Sequence, residues 1–278
     1  MIISAIRLSN YRSTPAFQHP SIPASQHLLI IVFLLVFVLF QPWPAVAFFP
    51  DFQDAVQKVD ENLGDLRSLQ LEVSFPEEPG LKLYLWLKGD TWRQEWVFSE
   101  DGRPGGVLAA AIGRGSRLQT TYRQRERFPL PVTFFWYRNG IRRLWAAQDI
   151  ETAYAAYRFL DDIPCVVYGT KRGLTGLPQI WFHAEEYVPV RLKMKTGLTW
   201  TWTGYRNIGN FFIPHKARLD LGADRFVGMS LSWRGINQDI PDRLFDPAAF
   251  RDKFSKAPPP ERDQGLMQVL FRQLPAGY

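Results

Sequence analysis

The spacing of apolar residues changes once along the chain, and that change separates a helix from a long run of strands. Between Phe52 and Leu69 the residues Phe52, Val56, Val59, Leu63 and Leu66 recur at spacings of three and four. Such spacing draws one apolar stripe down a helix, with Gly64 as its expected end. From Leu69 the period is two: Leu69, Leu71, Val73 and Phe75 alternate with Gln70, Glu72 and Ser74. After the Pro76 to Gly80 turn, Leu81, Leu83, Leu85 and Leu87 alternate with Lys82, Tyr84 and Trp86. These are the two arms of a hairpin. Trp92 to Phe98 reads as a third strand, entered through Gly89-Asp90.

Residues 99 to 148 follow neither period cleanly. Gly102 to Gly106 reads as a loop, Val107 to Ile112 is small and apolar, Phe128-Pro-Leu-Pro131 interrupts any regular element, and Gly140 to Gln148 has helical composition. The second half returns to period two in short segments: 152–160, 165–171, 179–184, 188–195, 198–205, 211–221 and 225–233. Turn residues separate them at intervals that point to an antiparallel meander. Each segment has one apolar face: Val190, Leu192 and Met194; Leu198, Trp200 and Trp202; Val227, Met229, Leu231 and Trp233. The alternate positions are Arg, Lys, Thr and Ser, so one side of the sheet is expected to be wet. The other must be covered, and two short helices over so many strands leave apolar area to spare. The expected fold is α+β and mainly antiparallel: a strongly curved, incomplete β-barrel covered by a few helices, with an apolar cavity. Leu83, Leu85, Trp200, Trp202, Met229 and Leu231 are the candidate cavity positions.

The ends are set apart by composition. Leu28 to Phe40 is an unbroken apolar run of 13, preceded by Arg7 and Arg12 with no acid, and followed by Ala45-Val-Ala47. At ~1.5 Å per residue the run spans about 20 Å, short of a hydrocarbon core of roughly 30 Å. Residues 1–47 therefore read as a signal peptide cleaved near Ala47, which sends the protein to the periplasm. An inner-membrane anchor through residues 28–40, facing the periplasm, is the alternative. Residues 48–250 form the curved-sheet domain. Residues 251–278 form a tail with Pro258-Pro-Pro260 and one short amphipathic helix carrying Leu266, Val269, Leu270 and Leu274.

Charge and chemistry narrow the function. The formal charge of +6 loses Arg7 and Arg12 with the leader, leaving a mild excess and no nucleic-acid footprint. The one cysteine, Cys165, sits among apolar residues, so the chain contains no intramolecular disulfide. No cysteine follows the apolar run either, which excludes a lipid anchor there. His183 and His215 are far apart, and no metal spacing, nucleophile elbow or phosphate loop occurs; Gly113-Arg-Gly-Ser116 lacks the Lys of a P-loop. Asp161-Asp162 and Glu185-Glu186 are adjacent turn residues pointing apart, not an acid and base pair. Neither an enzyme nor a cofactor or metal is expected. The remaining signal is an aromatic surplus, with 10 Trp. It fits either a large core or a pocket for an apolar ligand.

Three motifs add a family resemblance. Gln179-Ile-Trp-Phe-His-Ala-Glu-Glu-Tyr-Val-Pro-Val-Arg-Leu-Lys-Met194 is similar to the hairpin of the LolA/LolB-like periplasmic lipoprotein carriers, the outer-membrane lipoprotein-sorting proteins, with its acidic turn and x-Pro-x-Arg strand. Tyr205 with Gly209-Asn-Phe-Phe-Ile-Pro214 resembles the next turn and strand, and Pro241-Asp-Arg-Leu-Phe-Asp-Pro247 the closing motif. The resemblance implies a cavity that holds lipoprotein acyl chains or another lipid under a helical lid, and inner- and outer-membrane proteins as further partners. The carriers' lid-holding arginine has Lys88, in Leu87-Lys-Gly-Asp90, as its nearest counterpart here, and the Asp-Gly-x-x-x-Trp-x-Tyr stretch is missing. A sensor or adaptor of the same fold, binding a protein partner, is the alternative.

Overall fold

The computed structural model describes residues 50–99, 106–123, 128–135, 145–169, 178–255 and 265–277. Residues Phe49–Tyr278 form the unit described below. The leader, residues 101–105 and 136–144 and Pro258-Pro-Pro260 lie outside the described residues. Among those described, no helix is long and apolar enough to cross a membrane.

Helix α1 (Phe52–Leu63) leads into strands β1 (Ser68–Ser74), β2 (Leu81–Lys88), β3 (Thr91–Phe98), β4 (Val107–Arg114) and β5 (Arg117–Tyr122). After the short β6 (Phe128–Pro129) come β7 (Ala155–Leu160), β8 (Ile163–Tyr168), β9 (Gln179–His183), β10 (Pro189–Lys193) and β11 (Thr199–Thr203). The small hairpin of β12 (Arg206–Ile208) and β13 (Phe211–Ile213) precedes β14 (Lys216–Gly222) and β15 (Arg225–Ile236). Helices α2 (Pro247–Ser255) and α3 (Gly265–Gln273) and a final β16 (Ala276–Gly277) complete the order.

Twelve strands form one antiparallel sheet in the order β5-β4-β3-β2-β1-β15-β14-β11-β10-β9-β8-β7. Almost every neighbour is a sequence neighbour; the long-range pairing is β1 with β15, where Leu69 faces Ile236 and Val73 faces Leu231. That pairing joins an N-terminal meander to a C-terminal one. The free edges β5 and β7 make this an incomplete barrel, and an open sheet of so many twisted strands curls. The α+β, mainly antiparallel architecture expected from the alternation is the one observed.

The alternation also sets which side is filled. Leu81, Leu83, Leu85 and Leu87 of β2 are all buried, while Lys82, Tyr84, Trp86 and Lys88 are only partly so. Each fully buried leucine contributes roughly 1.5–3 kcal/mol relative to exposure. Helix α1 lies over the inner face with Ala55, Val56, Val59 and Leu63 buried, its N-terminus capped by Asp51, whose Oδ1 accepts from the Gln53 amide at 3.0 Å. Helix α3 adds Met267, Leu270 and Phe271 to the same core, where Phe271 meets Trp96 and Phe128 edge to face at 5.3 and 5.0 Å. The Leu130 amide donates to the Pro275 carbonyl at 2.8 Å, and β16 pairs with β6, so the C-terminus returns to the segment between β5 and β7.

Three expectations change. Val107 to Ile112 is a full strand, β4, and Arg117–Tyr122 forms the edge strand beyond it. The expected single strand 211–221 is broken at Pro214 into β13 and β14, since proline supplies no ladder donor. Most consequentially, the outer face is not uniformly wet. Helix α2, which runs across the expected 250/251 boundary, packs Phe250 and Phe254 on Ala110 and Ile112 of β4. At the other end Leu160, Cys165, Val167 and Val190 form an outer cluster beside Trp181 and Tyr205. Between these two clusters the middle strands present a polar face to water.

Candidate functional site

All six candidate cavity positions point inward. Leu83, Leu85, Trp200, Trp202, Met229 and Leu231 are each at most 4% exposed and belong to one core cluster. Trp200 and Trp202 stack nearly parallel with centroids 6.0 Å apart. Their surroundings are the protein's own side chains: inward leucines of β2, Leu219 of β14 and Val227 of β15.

Among the described residues an open, partly apolar space lies beside α1. A cleft of about 280 Å³ is walled by Phe52, Gln53 and Val56 on α1 and by Trp145, Ala146, Asp149, Ile150 and Thr152 opposite. Its floor continues into an aromatic cluster. Phe52 lies 5.4 Å from Trp145 and 5.0 Å from Tyr168, and Phe182 touches both of those rings edge on, at 5.2 and 6.0 Å. Trp145 is 4% exposed, and its indole N–H has no hydrogen-bond acceptor among the described residues. A buried, unsatisfied donor of this kind costs about 1–3 kcal/mol.

Two contacts hold α1 across the cleft. The Tyr168 hydroxyl donates to the Pro50 carbonyl at 2.8 Å, just before the helix, and burial pushes the phenol pKa well above its usual range, so it remains a neutral donor. At the far end the Asn62 amide donates to the Glu186 carbonyl at 2.6 Å, in the β9–β10 turn. That turn is shaped by His183, whose Nδ1 accepts from the Glu185 and Glu186 amides at 3.3 Å each. Glu185-Glu186 is thus a turn, as its spacing implied, and Asp161-Asp162 is the two-residue turn between β7 and β8, with Asp161 at a φ of 52°. His215 stands at the β13–β14 break; burial, then Arg206, lowers its pKa.

Lys88 grips the chain after β15 instead of α1. Its ammonium donates to the Ile240 carbonyl at 2.9 Å and to Asp242 at 2.8 Å, with Asp239 at 3.7 Å. It therefore fastens the Pro241 to Pro247 motif to the sheet. Trp145 was legible only as part of a helical stretch, and its described portion is the short helical turn 145–147. Nothing in its local pattern marked it as a wall of the cleft, because α1 meets it only through the fold.

Fold and site together define a scaffold class: an open antiparallel half-barrel whose interior is covered by helices, with an apolar cleft beside α1. No protein-family model matches the chain, and no curated protein matches it. Solved structures similar to it include a LolA superfamily protein from Nitrosomonas europaea, at 16% identity and a TM-score of 0.46, covering 72% of this chain and 99% of that one. A DUF1329 family protein from Desulfovibrio piger is similar at 11% identity and a TM-score of 0.38, covering 70% and 96%.

Proposed function

We propose that the protein is a non-enzymatic periplasmic carrier that shelters an acyl chain of a lipoprotein or another lipid, with the cleft beside α1 as the entry. The observation that carries this reading is the cleft itself, apolar along Phe52, Val56, Trp145 and Ile150. Its volume falls just under the roughly 300–1,000 Å³ of small-molecule sites, room for one end of a chain rather than a whole lipid. Each methylene buried contributes roughly 0.8 kcal/mol. The signal-peptide pattern of residues 1–47 and the resemblance of residues 179–250 to lipoprotein carriers support the same reading.

A second reading, a sensor or adaptor that binds a protein partner, is favoured by a different observation. The six inward positions are packed against their own neighbours, leaving the centre of the half-barrel occupied. Native mass spectrometry of the purified full chain with lipid extraction, followed by titration with a fluorescent fatty acid, separates the two. A co-purifying acylated species and uptake abolished by Val56→Trp, which fills the cleft, support the carrier. A clean apo mass with no uptake by the unmodified protein overturns it in favour of the adaptor.

A further inference from the structure

On the opposite face of the sheet from Trp200 and Trp202, strand register assembles a row of polar side chains that no local motif announces. Arg191 of β10 faces Thr201 of β11, Thr201 faces Arg218 of β14, and Arg218 faces Gly228 of β15. One step along, Thr203 faces Lys216 and Lys216 faces Ser230. These residues line a groove of about 610 Å³, rimmed by Pro76 and Asp161. Gly228 adds no side chain to the row, and its amide donates to Glu77 at 2.9 Å.

From this geometry we infer that the groove is a binding site for a phosphoryl oxyanion seated over Thr201 between Arg191 and Arg218. With strands ~4.8 Å apart, the two arginines stand about 10 Å apart at the backbone, one on either side of the same threonine. Guanidinium forks match phosphate oxygens two at a time, and the Thr201, Thr203 and Ser230 hydroxyls complete a shell of donors. Among the lining residues three cations, Arg191, Lys216 and Arg218, stand against two carboxylates, Asp161 and Asp220. Asp220 is engaged by Arg218, whose Nε donates to it at 2.7 Å. Glu77 keeps its charge on the Gly228 amide beside the row, and Asp161 stands on the rim.

Arg191 is held by one long hydrogen bond and one ring contact. Its Nε donates to Thr201 Oγ1 at 3.4 Å, and its guanidinium lies 5.2 Å from the Trp181 ring centre, with Asp220 and Asp161 acting only at longer range. Burial lowers its pKa, a desolvation cost that a bound anion offsets. Arg218 stacks over Phe226 at 4.1 Å, which sets the direction of its own fork.

The chemistry is shared by a lipid headgroup and a free phosphate ester, and two arms of one experiment distinguish them. The full chain is titrated calorimetrically with inorganic phosphate and with glycerol 3-phosphate, and in parallel is floated with phosphatidylglycerol vesicles. Binding in either arm, weakened at least tenfold by Arg191→Gln and by Thr201→Val but unchanged by Lys58→Gln on α1, is the expected result. Flotation without soluble binding assigns a membrane headgroup, and soluble binding without flotation assigns a free phosphate compound. Thr201→Val keeps every charge, so it carries the test if Arg191→Gln melts at a lower temperature. The inference is overturned if the unmodified protein binds neither probe, or if a folded Arg191→Gln or Thr201→Val variant binds as tightly as the parent.

Discussion

Replacing Glu95 with alanine tests whether the outer face of the sheet is a second interior. Arg93 and Glu95 are two residues apart on β3, both outward, and their side chains are only 3% and 8% exposed because α2 lies over them. Arg93 Nε donates to Glu95 Oε1 at 2.8 Å, with Nη2 bonded to the same oxygen, and Nη1 donates to the Leu244 carbonyl at 2.8 Å. The guanidinium also lies 5.3 Å from the Phe250 ring and 5.8 Å from those of Trp86 and Phe254. Lys253 of α2 reaches both Glu95 oxygens, at 2.9 and 3.1 Å. Glu95→Ala leaves Arg93 charged, buried and without its carboxylate, a loss of about 3–5 kcal/mol. For a unit of this size each kcal/mol moves Tm by ~2–4 °C, so the melt falls by roughly 6–20 °C. The double variant Arg93→Met with Glu95→Leu removes both desolvation costs and returns to within ~1 kcal/mol of the parent. Lys253 is half exposed, so Lys253→Met costs no more than about 1 kcal/mol. Urea unfolding followed by tryptophan fluorescence measures all four proteins. A loss below 1 kcal/mol for Glu95→Ala, or a double variant as weak as the single one, refutes the picture of a buried pair clamped by α2.

Further consequences follow from single contacts. Gly113 lies under the Trp92 indole, where an added Cβ would stand 2.2 Å from Cζ2 and 2.7 Å from the Arg117 carbonyl oxygen. Gly113→Ala therefore overpacks the β3–β4–β5 edge and costs about 1–3 kcal/mol in a thermal melt, and an unchanged melt refutes it. Burial alone would raise the Glu72 pKa, but hydrogen bonds from Lys82 at 2.8 Å and Arg234 at 2.7 Å outweigh it and hold the carboxyl below its ordinary value. Its stabilisation is then complete above the unfolded pKa of ~4.3 and lost as pH falls through the lower folded value. The Tm gap between the parent and Glu72→Gln should be constant near neutrality and close in acid; a gap unchanged down to pH 2 would contradict the ion pairs. Asp51→Ala removes the α1 cap and costs about 1 kcal/mol, and the Tyr168 contact beside it makes fatty-acid uptake the second readout of that variant.

The alternation of Leu81 to Leu87, the threonine and tryptophan alternation of 199–203 and the stripe of α1 were enough to assign strands, inward faces and a covering helix, because each depends only on residues close in sequence. All six inward assignments agree with the observed burial. The alternation leads one to expect a wet side of the sheet, yet on β3 helix α2, contributed from far along the chain, buries Arg93 and Glu95. The cleft beside α1 likewise depends on how residues 145–152 meet a helix almost a hundred positions earlier. The Arg191–Thr201–Arg218 row exists only once register aligns three strands. A period of two states that a strand has two unlike faces. What covers each face, and which side chains stand abreast across strands, is decided by packing between segments that carry no local record of one another.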